Sequence, residues 1–209
     1  MKLGEVKLQA IRIGFPDFFI SYDETDEASL IGAVASLKQD SNFNGFLEST
    51  IGSINRALAY IESKGLCQVK CVDLPQSQAL VREDGRAALP IPSDALKIDK
   101  IVWHKGRDIK SLSFEIMDGT ALTENKDGIY RIIYKRKIPR VNSVMGDACN
   151  LEAPFGLVEY IPYFVASDIL GRECEHASDW REYFEEMVEA ECGRESPCYS
   201  CIEAKYFMV

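Results

Sequence analysis

The sequence has few histidines, and this scarcity limits the catalytic chemistry that it can carry. Of its 209 residues only His104 and His176 are histidines. Neither belongs to an HExxH or HxH pattern, and the sequence has no glycine-rich phosphate-binding loop and no GxSxG motif. His104 follows Trp103 at the end of a predicted strand, so we expect an exposed turn residue there; His176 should lie between the last two helices. The sequence therefore predicts no catalytic residue, no cofactor and no enzymatic activity.

The sequence also lacks a long apolar run. Its most apolar stretch, Ile161 to Leu170, has ten residues and contains Asp168, whereas a membrane-spanning helix needs about twenty. The N-terminal stretch has no continuous apolar core of a signal peptide, because charged residues interrupt it at Lys2, Glu5, Lys7 and Arg12. We expect a cytoplasmic protein without a membrane partner.

Positive charge is scarce in the C-terminal part of the chain. Residues 151–209 contain four basic and thirteen acidic side chains, whereas residues 65–150 contain fourteen and eleven. An acidic segment repels phosphates, so sequence-specific nucleic-acid binding is not expected from it, and a simple solvated helix face is the alternative. The basic run Lys135, Arg136, Lys137 and Arg140 is expected to be the solvated face of an edge strand rather than a contact with a nucleic-acid backbone.

Cysteine is not scarce, but the seven cysteines are an odd number and no secretory signal accompanies them, so a complete disulfide framework is not expected. Cys192, Cys198 and Cys201 include a CxxC spacing at which two thiolates can share a zinc ion. A fourth ligand is missing locally, because the predicted last helix separates Cys174 and His176 from Cys192 by about 25 Å. We expect free thiols or a disulfide within the tail, with zinc binding as the alternative.

The strongest pattern that is present lies at residues 43–65. Apolar residues recur there at steps of four, three, four and three, which places them on one helical face: Leu47, Ile51, Ile54, Leu58 and Ile61. Gly65 follows as a helix-ending residue. Four other helices are predicted, over residues 3–13, from about 27 to 37, from Asn150 to Gly171 with a bend at Pro162, and from about 178 to 191.

From Leu66 the period changes to two, which predicts five or six antiparallel strands. Asp84-Gly85, Asp118-Gly119 and Asp127-Gly128 are the hairpin signals. The sequence therefore predicts an α+β fold. Residues 1–65 and 150–192 should form a discontinuous helical bundle, residues 66–149 an inserted antiparallel β domain resembling a sandwich or a barrel, and residues 193–209 a tail.

Three stretches resemble a known protein family. They are KLGEVKLQAIRIGF at the start, SINRALAYIESKG in the centre, and LVEYIPYFVASDIL followed by DWREYFEEMVE near the end. Together they resemble the head–tail connector (adaptor) proteins of tailed phages and prophages of Gram-positive bacteria, over the helical framework of the chain. The cysteine-containing end, residues 192–209, departs from that pattern.

The resemblance implies a structural virion protein that forms a ring on the portal protein, contacts a tail or stopper protein and surrounds the DNA channel in the virion neck. An acidic channel lining would let DNA slide, and the last helix is our choice for that lining. The resemblance further implies that the tail, which ends in Tyr206, Phe207, Met208 and Val209, engages the portal.

Two other functions stay open. One is a small ligand- or protein-binding module whose β segment presents Trp103, Phe114 or Tyr130, with the alternative that these aromatic residues form its core. The other is a zinc-stabilised regulatory protein built on the tail cysteines.

Overall fold

The chain has both helices and antiparallel sheets, which confirms the predicted α+β class. A computed structural model describes residues 1–23, 25–171 and 174–193. This part contains five α-helices and two four-stranded antiparallel sheets. The chain divides into two compact units, Met1–Leu66 together with Ile138–Val209, and Cys67–Lys137.

The first unit contains the helices. They are α1 (Leu3–Gly14), α2 (Glu27–Gln39), α3 (Ser41–Ser63), α4 (Ile161–Leu170) and α5 (Ala177–Gly193). Asp26 begins α2 by accepting hydrogen bonds from the amides of Ala28 and Ser29, and Asp40 caps α3 through the amide of Asn42. Such caps satisfy amide groups that have no partner within the helix.

Helix α3 is the longest of the five and provides much of the core of this unit. Ile54, Leu58 and Ile61 are fully buried, as the spacing predicts. They belong to one apolar cluster with residues of the other helices, including Leu8, Leu30, Val165 and Phe184. Full burial of such a side chain is worth about 1.5–3 kcal/mol, so this cluster stabilises the packing of the helices that contribute to it.

The region from Asn150 to Gly171 is not the single bent helix that we predicted. A 3-10 helix occupies Pro154–Glu159 and α4 begins only at Ile161. Pro162 lies in the first turn of α4, where a missing amide hydrogen costs no helical hydrogen bond, so it does not bend a helix. Asn150 does not cap a helix; it forms an isolated antiparallel bridge with Lys2.

The segment that follows Ile138 is attached to the first unit. Its Val141 exchanges two hydrogen bonds of 2.8 Å with the side-chain amide of Asn55. Farther along, the carbonyl of Cys149 accepts a hydrogen bond from the amide of Leu3. The second unit consequently ends at Lys137 and is shorter than the predicted insertion of residues 66–149.

The second unit consists of eight strands, more than the five or six predicted. They are β1 (Val69–Pro75), β2 (Leu80–Val81), β3 (Arg86–Pro90), β4 (Ala95–Lys105), β5 (Asp108–Leu112), β6 (Phe114–Met117), β7 (Thr120–Glu124) and β8 (Ile129–Arg136). One sheet has the order β1-β8-β4-β5 and the other β2-β3-β7-β6. Ile101 and Ile132 of the first sheet share a buried cluster with Ala87 and Leu89 of the second.

Two of the three predicted hairpin turns join neighbouring strands. Asp84-Gly85 lies between β2 and β3, and Asp118-Gly119 between β6 and β7. Asp127-Gly128 instead leads from β7 in one sheet to β8 in the other, so it is not a hairpin. Here glycine permits a close approach, because a Cβ atom on Gly128 would lie 2.6 Å from the indole nitrogen of Trp103.

Candidate functional site

Helix α5 carries an exposed row of carboxylates, here named the acidic face: Asp179, Glu182, Glu186 and Glu189. Their spacing of three, four and three residues places them on one side of the helix. Glu189 lies 3.3 Å from the ammonium of Lys64, and this hydrogen bond raises the pKa of Lys64. The acidic face presents a line of negative charge along about three turns of helix.

The opposite side of α5 holds the acidic face in a fixed orientation. Phe184 and Val188 are fully buried there, and the Phe184 ring centroid lies 5.0 Å from that of Phe164 and 5.8 Å from that of Tyr60. These contacts join α5 to α4 and α3. Rotation of the helix would expose both side chains, so the carboxylates stay on the outside.

A charged network at Asp168 adds a second connection among the same three helices. The Asp168 carboxylate, 15% exposed, accepts hydrogen bonds from the Ser53 hydroxyl at 2.7 Å and the Arg56 Nε at 3.0 Å. Arg181 of α5 approaches its other oxygen to 3.9 Å. Burial opposes the charged form of Asp168, but the hydrogen bonds from Arg56 and Ser53 outweigh burial and hold the pKa of this carboxyl below its ordinary value.

The tail residues that the sequence singled out lie mostly outside the described residues. Cys198 and Cys201 do so, and so does the apolar end, Tyr206, Phe207, Met208 and Val209. Cys192 is exposed at the end of α5, with its sulfur 3.9 Å from the Lys64 carbonyl oxygen. Among the described residues, no three histidine, cysteine, aspartate or glutamate side chains meet in a group that would hold a metal ion.

Cys174 and His176, the other zinc candidates, lie just before α5 begins. The imidazole of His176 is 3.5 Å from the Glu175 carboxylate and 3.6 Å from that of Asp179. As predicted, His176 lies between the last two helices, since α4 ends at Leu170 and α5 begins at Ala177.

The three aromatic residues considered for ligand binding pack into the second unit. Tyr130 is completely buried in the cluster that the two sheets share, and Trp103 and Phe114 pack against the same cluster. The Tyr130 hydroxyl donates to the carbonyl of Lys126 at 2.9 Å. Tyr130 thus has no exposed surface to offer a ligand, and its hydroxyl serves the connection between β7 and β8.

His104 is not the exposed turn residue that we predicted. It lies within β4, where it pairs with Ile109 on one side and Ile129 on the other. Its side chain is half-buried, and within the described residues its Nε2 atom is buried without a hydrogen-bond partner. The prediction failed because β4 continues to Lys105, and the turn falls on Gly106, whose φ is 60°.

An ion pair lies near His104 on the first sheet. The Arg131 guanidinium donates two hydrogen bonds to the Asp73 carboxylate, at 2.7 and 2.6 Å. These bonds are the main reason that the pKa of Asp73 lies below its ordinary value, with a smaller electrostatic contribution from His104. Sequence reasoning missed this pair, because its partners become neighbours only through the register of β1 and β8.

The basic run does not lie on an edge strand. Lys135 and Arg136 belong to β8, which pairs with β1 on one side and β4 on the other. Arg136 forms an ion pair of 3.3 Å with Asp94, and Arg140 one of 3.1 Å with Glu62. Each of these two arginines is therefore paired within its own unit, and Lys135 lies on a central strand and does not protect a sheet edge.

The second unit also has a shallow cavity of about 560 Å³ where the chain passes from β5 to β6. Leu122 and Phe114 contribute apolar surface, and two ion pairs lie at its margin, Arg86 with Glu115 and Lys110 with Glu124. The sequence could not indicate this cavity, since it depends on the strand order of two sheets.

Comparison of the chain with protein-family models gives no match, and comparison with curated proteins gives none either. The resemblance to phage connectors therefore remains a prediction from the three quoted stretches. Within the described ranges, no helix combines the length and the apolar character that a membrane crossing requires.

Proposed function

We propose that this chain is a phage head–tail connector subunit, a structural protein without catalytic activity. In this proposal several copies form a ring on the portal protein, a tail or stopper protein docks on that ring, and DNA passes through its centre. The protein would reside in the host cytoplasm and later in the virion neck. The three stretches that resemble connectors support the proposal; they cover α1, the second half of α3, the end of the 3-10 helix with α4, and most of α5.

We propose further that the two units are a discontinuous helical bundle and an inserted sandwich-like domain. All five helices contribute to the first buried cluster, and both sheets contribute to the second. Connectors related to those that the sequence resembles carry a domain inserted between helices, so this arrangement favours the proposal.

The observation that carries the functional proposal is the acidic face of α5. The core contacts of Phe184 and Val188 hold this helix, so its carboxylates form a fixed negative surface. A negative wall opposes adsorption of the phosphate backbone, which suits a channel through which DNA slides. In the proposed ring, α5 lines the channel.

Mass photometry with the portal protein encoded beside this chain tests the proposal. The full-length chain should add a ring of several copies to the portal. A chain ending at Gly193 lacks the residues through which we propose portal binding, including Tyr206 and Phe207, so its affinity should fall at least about tenfold. Leu80→Ala, at an exposed position of β2, is the matched control and should bind normally.

Failure of the full-length chain to bind the portal would contradict the proposal. A gene neighbourhood without portal, capsid and tail genes would also contradict it. Normal portal binding by the chain ending at Gly193 would be compatible with a ring on the portal. It would show that the tail is not the portal contact.

A further inference from the structure

Helix α5 carries a strip of large side chains that the core does not use, here named the aromatic flank: Trp180, Tyr183 and Met187. Their spacing of three and four residues places them on one side of the helix, between the acidic face and the buried side of Phe184 and Val188. All three stay partly accessible, and Tyr183 is 38% exposed. None of them belongs to the buried cluster of the first unit, so the flank is available for a further contact.

Two tyrosines of the preceding segment widen the aromatic flank. The ring centroid of Tyr183 lies 4.9 Å from that of Tyr163 in α4 and 5.8 Å from that of Tyr160, which immediately precedes α4. Tyrosine, tryptophan and methionine are enriched where protein surfaces meet, and tyrosine and tryptophan often dominate the binding energy there. A contiguous group of such side chains, unlike a single exposed apolar residue, marks a contact site.

The aromatic flank has an acidic border. Asp179 lies four residues before Tyr183 and Glu186 three residues after it, so both carboxylates neighbour its ring on the helix surface. Asp179 is 71% exposed, and Glu186 is exposed as well. Among the described residues, no lysine or arginine forms an ion pair with either carboxylate. An apolar segment with a cation beside it therefore fits this surface in both shape and charge.

The sequence that follows α5 contains a segment of this character. Residues 194–209 lie outside the described residues and begin where α5 ends. Lys205 directly precedes their apolar end, which consists of Tyr206, Phe207, Met208 and Val209. This tail combines the apolar side chains and the adjacent cation that the aromatic flank and its border would accept.

The length of the tail matches the distance that it has to cover. Trp180 lies thirteen residues before Gly193, which is about 20 Å along the helix. Twelve residues join Gly193 to the apolar end, and a random coil of that length spans about 20 Å on average. The effective concentration of the apolar end at the flank is then on the order of millimolar. The tail of a second copy, at micromolar protein concentration, would compete poorly with it.

We propose that the apolar end of the tail docks on the aromatic flank of its own chain, with Lys205 beside the carboxylates of Asp179 and Glu186. The contact concerns the free chain and does not rest on the proposed connector function. A contact with an intrinsic dissociation constant of about 0.1 mM would be mostly closed at that effective concentration. The flank would compete with the portal for the tail, because the same four side chains cannot contact both surfaces at once.

Acrylamide quenching of Trp180 fluorescence tests the contact in the full-length chain. In the Trp103→Phe background Trp180 is the only tryptophan. Phe207→Glu places a charge in the apolar end and should raise the quenching constant at least about twofold, because the tail no longer covers the indole. Ser196→Glu adds the same charge close to Gly193 and should leave the constant unchanged. No increase with Phe207→Glu, or equal increases with both variants, would overturn the proposal.

Carbodiimide cross-linking locates the docked tail. This reagent joins a lysine amine to a carboxylate in direct contact, so the full-length chain should give a product linking Lys205 to Asp179 or Glu186. Lys205→Arg keeps the charge but lacks the reactive amine, so it should abolish that product and leave the quenching of Trp180 unchanged.

A mixture of isotope-labelled and unlabelled chains identifies the source of the tail. Products within one chain support the proposal. Products that join a labelled to an unlabelled chain would show that a second copy supplies the tail, and they would overturn it. Absence of any product between Lys205 and these carboxylates would overturn it as well.

Discussion

At the scale of single residues, the middle of α3 tolerates no charge. Ile54 and Leu58 are completely buried, and an unpaired carboxylate at either position would lose its hydration without gaining a partner. Ile54→Asp and Leu58→Asp should each lower the free energy of unfolding by about 3–5 kcal/mol or more. The loss of helical circular dichroism during heating measures this effect.

Ala59→Asp is the control for these variants. Ala59 lies in the same helix but is exposed, so its replacement tests helix propensity without core burial. A midpoint close to that of the wild type is expected for it. Unchanged stability of either core variant would show that the core lies elsewhere.

Asp168 makes stability depend on pH in a defined direction. Its pKa in the folded chain is lower than the ordinary 3.8, so the charged form favours the folded state. This contribution is complete above the ordinary pKa and is lost as the pH falls through it toward the folded value. Asp168→Asn should cost about 1–3 kcal/mol at neutral pH, where the charged hydrogen bonds are intact.

Urea unfolding at several pH values measures that dependence. The difference between wild type and Asp168→Asn should be constant above about pH 5 and should shrink below pH 4. Asp179→Asn, at a carboxylate that is 71% exposed, should stay close to the wild type throughout. A difference that does not change on acidification would contradict the role given to the charge of Asp168.

At the scale of elements, the acidic face of α5 gives a direct test of the charge argument. Replacing Glu182 and Glu186 by lysine reverses the sign of its centre without touching the buried Phe184. The wild type should not retain duplex DNA at about 0.15 M salt, whereas the double variant should bind it, and less so as salt rises.

Glu83→Lys is the control for that experiment, since Glu83 is an exposed turn residue of the second unit. It adds positive charge to the chain but leaves α5 unchanged, so it should not bind DNA. Strong DNA binding by the wild type would contradict the assignment of α5 to a channel wall.

Element by element, the sequence predicts helices better than strand arrangement. The α3 pattern is unambiguous, because its apolar side chains repeat over about four turns from Leu47 to Ile61, and Asp40 and Gly65 bound the helix. After Asn150 the same kind of pattern misleads. Pro154 and Pro162 suit helix beginnings as well as bends, and periodicity alone does not distinguish a 3-10 helix followed by a short α-helix from one long bent helix.

Strand count and strand order are not encoded locally. Asp127-Gly128 has the composition of a hairpin turn, yet it connects two different sheets, because β8 pairs with the distant strands β1 and β4 and not with β7. The prediction for His104 failed because β4 continues to Lys105, so His104 pairs with β5 and β8 within the sheet and does not lie in the turn. The acidic excess of residues 151–209, by contrast, is predictable from the sequence, since counting charges along one segment needs no tertiary information.

At the scale of the whole molecule, two separate apolar clusters predict two separable unfolding events. The chain has two tryptophans, and each belongs to a different unit: Trp103 to β4 and Trp180 to α5. Fluorescence of Trp180→Phe therefore reports the second unit, and fluorescence of Trp103→Phe reports the first.

Ile54→Asp should act on only one of these signals. In the Trp103→Phe background, Ile54→Asp should strongly lower the urea concentration at which the fluorescence of Trp180 reports half-unfolding. In the Trp180→Phe background, the unfolding midpoint reported by Trp103 fluorescence should change little. Equal shifts in both backgrounds would show that the two units unfold as one.

The two ends of the second unit meet at one point, where the amide of Arg136 donates to the carbonyl of Gln68 at 2.8 Å. An unfolded stretch of about seventy residues between α3 and Ile138 would lower the stability of the first unit by roughly 4 kcal/mol, because closing so long a loop costs entropy. Once β1 has paired with β8, that stretch is replaced by a short bridge. A folded second unit therefore lowers the entropic cost of bringing together the two separated parts of the sequence that form the helical core.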